Sequence, residues 1–166
     1  MDHRRAVLPA SYSESRSVIL GAMLMSEQER SDSLLALDDE LLKGGVILSE
    51  WCVFLTRESD TAYAKGVFLA SILTALSAIE THLRSEYPDA SKMRLVELID
   101  ESDLDPALVR DLHVLRKYRN KWVHVSDPWD DQALIENPAQ YDDELERMAL
   151  LAIGALRRTI YSNPLI

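Results

Sequence analysis

The sequence predicts an all-α fold, an antiparallel helical bundle, and three observations carry that expectation. Only five glycines and six prolines punctuate 166 residues, which leaves long uninterrupted segments. Apolar residues recur at helical spacing: Leu69, Leu73, Leu76 and Leu83 form one stripe, and Leu108, Leu112, Leu115 and Trp122 another. A strand-like apolar run occurs only at Val46–Leu55, with no second run to pair with it.

Taken in order, residues 1–5 read as a loose tail. Ser13 or Ser15 caps a first helix through Val18, Ile19, Ala22, Met23 and Met25. Ser31 or Ser33 opens a second amphipathic segment with Leu34, Leu35, Leu37, Leu41 and Leu42, and Gly44-Gly45 stops it. Residues 1–45 thus read as an N-terminal helical extension to a bundle spanning 46–166, within one compact domain. Val46–Leu55 fits a buried strand or, through Ile47, Trp51, Phe54 and Leu55, a helical face; lacking a partner strand, helix is the expectation. Asp60 starts a long helix that reaches about Tyr87, where Pro88 ends it. A shorter helix follows from Ser91 to about Ile99. Asp103 or Asp105 caps the next, with Pro106 in its first turn, and this helix runs to about Val123. Residues 126–141 read as a loop with one helical turn at most. The last helix opens at Asp142-Asp143-Glu144 and closes near Arg157-Arg158, acids first and bases last, as the helix dipole favours.

Composition narrows the function. The content is 47% hydrophobic and 28% charged, ordinary for a globular chain, and the net charge is −10. That charge argues against a broad duplex-DNA binder, which needs basic surface along the phosphates. The single cysteine, Cys52, has apolar neighbours and reads as a core thiol; it permits no intrachain disulfide. No apolar run approaches the ~18 residues of a membrane span. Val18–Met25 is short and lacks a small-residue cleavage site, so a cytoplasmic protein is expected. There is no phosphate-binding glycine loop, HExxH helix or GxSxG elbow. The four histidines are scattered, so neither a metal site nor a cofactor is expected.

One basic island stands out. Between Arg110 and His124 lie Arg110, Arg116, Lys117, Arg119 and Lys121, against the single acid Asp111. Arg119 falls on the apolar stripe of its helix, where an unpaired charge is costly. Glu80 sits in the same way on the stripe of the preceding long helix. Two seams holding one charge of opposite sign each are expected to meet, as a register-fixing ion pair or as part of a site. Asn120 and His124 are an i,i+4 pair on the adjoining face. A guanidinium and an imidazole suit metal-independent RNA cleavage: one holds charge on phosphoryl oxygens, the other moves a proton. On a straight helix residues 119 and 124 are about 140° and roughly 7.5 Å apart. Convergence therefore needs the helix to end or bend near Val123, or two copies to meet.

Arg119-Asn120-Lys121-Trp122-Val123-His124 resembles the R-x4-6-H signature of HEPN domains, including the polar residue after the arginine. An upstream long helix with Ala78-Ile79-Glu80 and a linking helix add to the likeness, which covers roughly residues 60–160. The resemblance implies a HEPN-like bundle acting as a homodimer, with the activity of a metal-independent endoribonuclease in toxin–antitoxin or anti-phage defence systems. RNA, and an antitoxin or defence-complex protein, are the partners it implies. Carried over by residue, Arg119 and His124 are catalytic, and Asn120 and Glu80 support them. Arg116, Lys117 and Lys121 are the candidate RNA contacts. In one toxin branch a tyrosine two places after the histidine is the target of antitoxin modification; here that place holds Ser126, so such control is not expected. The competing expectation is a noncatalytic HEPN-like module for dimerisation or for binding a protein or nucleotide. In that case His124 is a helix cap, Lys117 and Lys121 are solvated, and Trp122 belongs to the core.

Overall fold

A computed structural model describes residues 25–87 and 92–162. Seven helices are formed among these residues, and no β-strand: α1 (Glu27–Leu41), α2 (Glu50–Ala64), α3 (Phe68–Glu86), α4 (Leu95–Asp100), α5 (Pro106–Val123), α6 (Gln132–Glu136) and α7 (Pro138–Ile160). The all-α expectation holds. The helix expected at Val18–Met25 lies largely outside the described residues, and Met25 itself is not helical.

Local chemistry sets the starts. Ser26 caps α1: its hydroxyl accepts from the Glu29 N–H (3.2 Å), and the Glu29 carboxylate accepts from the Ser26 N–H (2.7 Å). The expected caps, Ser31 and Ser33, lie inside the helix and bond back to the Glu27 and Arg30 carbonyls. Ser49 caps α2 through the Cys52 N–H (3.2 Å), so residues 46–49 stay irregular and the helix begins only at Glu50. Asp105 caps α5, accepting from Ala107 (2.8 Å) and Leu108 (3.3 Å), with Pro106 at the first helical position as anticipated.

Asp60 does not start a helix. It lies within α2, and the expected long helix is two, broken at Gly66 (φ +73°). That left-handed conformation suits a residue without Cβ and lets the chain reverse from α2 into α3. The last helix opens at Pro138, four residues before the acidic triplet. Asp142, Asp143 and Glu144 therefore lie beyond its first turn and gain little from the dipole.

Helix α3 is the centre. It packs on α2 and α7, while α5 lies against α7, α4 and α3. Ile72, Leu76 and Ile79 of α3 meet Leu98 and Ile99, Leu112 and Leu115, and Ile153 and Leu156, all fully buried. Leu69 and Leu73, expected on the inner stripe, are only half-buried; Phe68, Ala75 and Ala78 share the inner face instead. Cys52 is buried, with its thiol directed at the Ala78 carbonyl (3.8 Å) and pushed up from its ordinary pKa by burial. It is a packed core thiol.

Two buried arginines fasten α1 to the rest. Arg30 donates to the Ala64 carbonyl (3.0 Å) and the Met25 carbonyl, pairs with Glu146 of α7 (3.4 Å), and lies over the Phe68 ring. Arg157 of α7, with 2% of its side chain exposed, is clamped between Asp38 of α1 (2.8 and 3.2 Å) and Asp60 of α2 (3.0 and 3.1 Å). Tyr161 donates to the same Asp38 carboxylate (2.8 Å). The two-sided fork satisfies a charge that would otherwise be prohibitive to bury.

Candidate functional site

Helix α5 carries the basic island from Arg110 to its C-terminal end. Asp111, the one acid within it, is drawn off by Arg158 of α7 (2.6 Å). His113 faces Asp100 (2.9 Å). The helix ends at Val123, and His124 is its C-cap residue with ψ 65°, its N–H bonded to the Asn120 carbonyl (3.0 Å). The imidazole is exposed. The helix therefore ends beside His124, as the reading of residues 119 and 124 requires, with the His124 N–H still in the last helical bond.

Arg119 and Glu80 do meet, but at the limit of an ion pair: 4.0 Å, with 25% and 27% of the side chains exposed. Glu80 has a closer partner in Arg84, one turn along α3 (2.6 Å), which also donates to the Met93 carbonyl (2.7 Å). The expected buried register pair is thus a half-exposed triad, Arg84–Glu80–Arg119. A half-exposed contact at 4.0 Å contributes little to stability. The Arg119 guanidinium also donates to the Asn120 side-chain oxygen (3.2 Å), so Asn120 and Glu80 both bear on its position.

Two guanidinium nitrogens here, Arg116 Nε and Arg119 Nε, are buried without a hydrogen bond among the described residues, while the Tyr118 hydroxyl is shared with Trp122 and Glu144. Buried nitrogens of this kind are costly unless a water or a ligand satisfies them. Burial pushes the Tyr118 hydroxyl up to about 12; Trp122 opposes the shift, and Glu144 and Tyr141 add to it.

The three candidate RNA contacts differ. Lys117 is exposed, and Arg116 is half-buried. Lys121 is 52% exposed yet engaged, 3.7 Å from Glu144 of α7 and over the rings of Tyr118, Trp122 and Tyr141. Trp122 lies outside the fully buried core and packs edge-on against Tyr118 and Tyr141. Trp129 is 83% exposed in the loop after α5. Arg84, Tyr141 and Glu144 were not read from the sequence as site residues. Arg84 had a signal in its i+4 spacing from Glu80; the other two reach the site only because α7 packs on α5.

A cavity of about 480 Å³ lies elsewhere, lined in part by His82, Glu86, Tyr87 and Asp103, and none of the basic residues of α5 borders it. Among the described residues no three His, Cys, Asp or Glu side chains are grouped as metal ligands would be. Nor is any helix there long and apolar enough to cross a membrane. No protein-family model matches the chain, and comparison with curated proteins and with solved structures gave no match.

Proposed function

We propose that the chain is a metal-independent endoribonuclease of the HEPN type that acts as a homodimer, with toxin–antitoxin or anti-phage defence as its setting. The observation that carries this reading is the end of α5. There a half-exposed Arg119, held by Glu80 and Asn120, precedes an exposed His124 at the helix terminus. The 2′-hydroxyl of the RNA attacks the adjacent phosphorus. The O2′–P bond forms, the P–O5′ bond breaks, the 2′ proton leaves and a proton reaches the departing 5′ oxygen. His124 carries one of these protons and solvent water the other; the share of His124 is typically worth about 10²–10⁴-fold. Arg119 bears the charge that grows on the non-bridging oxygens. Arg116 and Lys117 hold flanking phosphates. In the dimer two such helix ends line one cleft, and the acidic remainder of the surface excludes RNA that does not enter it.

The test is the chemistry of the ends. Fragments are expected to carry 2′,3′-cyclic phosphate and 5′-hydroxyl termini, and sedimentation is expected to give a dimer. Fragments bearing 5′-phosphate would refute the mechanism.

A second reading, a noncatalytic interaction module, is favoured by one feature. Ile47, Trp51, Val53 and Phe54 leave an apolar surface at the start of α2, with Trp51 75% exposed. Replacing Glu80 and Arg119 together by apolar residues separates the readings. The ribonuclease loses cleavage while it keeps its fold, whereas the module keeps all its activity.

A further inference from the structure

Lys121 occupies a corner built from three aromatic rings and a carboxylate. Its Nζ lies 5.6 Å from the centroid of Tyr118, 5.4 Å from Trp122 and 5.2 Å from Tyr141. Glu144 Oε1 is 3.7 Å away. The Trp122 ring stands at 62° to Tyr118 and 85° to Tyr141, with centroids 6.3 and 6.1 Å apart, so the rings form a concave corner and not a stack. Half of the lysine side chain remains in water, so solvent reaches the mouth of this corner.

The occupant is weakly held. Cation–π contacts at exposed sites and half-exposed ion pairs are both small contributions. An incoming phosphate competes for the same ammonium with more charge and shorter hydrogen bonds. Lys121 is one residue from Asn120 and Trp122 and lies in the turn that holds Arg119, so a phosphate held by the basic face is near enough to draw it away. When it leaves, two things are left: aromatic faces open to a flat ring, and a Glu144 carboxylate that has lost its cation and keeps the Tyr118 hydroxyl as a partner. Aromatic faces accept any nucleobase. A carboxylate accepts hydrogen bonds only: the N4 amino group of cytosine offers it two N–H donors, whereas uracil offers a single N3–H flanked by two carbonyl oxygens that repel it.

We propose that Tyr118, Trp122, Tyr141 and Glu144 form a subsite for an amino-bearing nucleobase of single-stranded RNA, closed in the free protein by Lys121. This rests on the reading of α5 as an RNA-facing helix. Docking exchanges occupants: the ammonium moves to a phosphate and the base takes its place. Lys121 is then both an RNA contact and the cover of the subsite.

The test uses nucleosides, which carry neither phosphate nor a cleavable bond. A Trp51→Phe/Trp129→Phe background removes two exposed indoles and leaves Trp122 as the fluorophore. In it, cytidine is expected to quench Trp122 and to bind Lys121→Gln about threefold to tenfold more tightly than the parent, because the cover is gone. Cytidine is expected to outcompete uridine, and Glu144→Gln is expected to abolish that preference. With single-stranded RNA the order reverses: Lys121→Gln binds less tightly, and the slope of log K against log salt falls by about 0.7. Lys121→Met repeats each measurement with the stem retained. No quenching in either Lys121 variant, or equal binding of cytidine and uridine, overturns the proposal. Cleavage without nucleoside binding would remove the subsite and leave the ribonuclease. Nucleoside binding without cleavage would do the reverse.

Discussion

Removing the positive charge at Arg157 should cost more stability than any single change at the basic end of α5. The side chain is 2% exposed and donates through three nitrogens to two carboxylates from different helices. In Arg157→Met the stem is retained and the charge is lost, so Asp38 and Asp60 face one another across a buried gap. Breaking a buried pair from one side costs about 3–5 kcal/mol. Asp38 and Asp60 keep 37% and 25% of their side chains exposed, which lets water share the penalty and favours the lower end, about 3 kcal/mol. Against a total of about 5–15 kcal/mol this is severe. For a chain of this size it lowers Tm by roughly 6–12 °C. Burial already lifts the Asp60 carboxyl above its ordinary value, outweighing the pull of Arg157, so the variant should take up a proton there on folding. Calorimetry at pH 7 and pH 5 checks both points: the loss should be smaller at pH 5. A Tm within 2 °C of the parent at both pH values would refute the view that this fork holds α1, α2 and α7 together.

Three further outcomes follow from the fold. Gly66→Ala forces a left-handed φ on a residue with Cβ and brings that atom 3.3 Å from the Arg30 guanidinium; urea unfolding should show a loss of about 1–2 kcal/mol. Asp105→Ala removes both N-cap bonds of α5 and should cost about 0.5–2 kcal/mol, while RNA cleavage at the far end of the helix persists in the fraction that stays folded. Burial depresses the pKa of His82, with Glu86 partly opposing, so the fold favours its neutral form. The stability this contributes is present above the ordinary histidine value of 6.5 and is lost as pH falls below it through the lower folded value. His82→Gln should flatten that part of a urea-midpoint series taken from pH 7.5 downward; an unchanged slope would contradict it.

The parts of the structure that were legible are those decided by neighbouring residues. Asp105 and Pro106 announce α5 because capping is settled within one turn, and the helix ends at Val123 as its pattern implies. The opposition of Glu80 and Arg119 could be read from two seams, but its strength could not, since Arg84 takes the closer place on Glu80. Gly66 gives no sequence signal of a turn, because one glycine without proline does not interrupt the apolar period of a helix; only the observed positive φ reveals it. The buried forks of Arg30 and Arg157 join residues more than 90 positions apart, beyond any local pattern. The same holds for the corner around Lys121, where Tyr118 and Trp122 lie on its own helix but Tyr141 and Glu144 arrive with α7.

The central claim is that Arg119 and His124 cleave RNA without a metal ion. Single-stranded RNA incubated with the purified protein in excess EDTA, beside His124→Ala, tests it most directly. The account predicts cleavage by the parent and a loss of at least about a hundredfold in the variant, with the dimer unchanged. Equal cleavage by both proteins, or intact RNA after incubation with a folded dimeric parent, would contradict it.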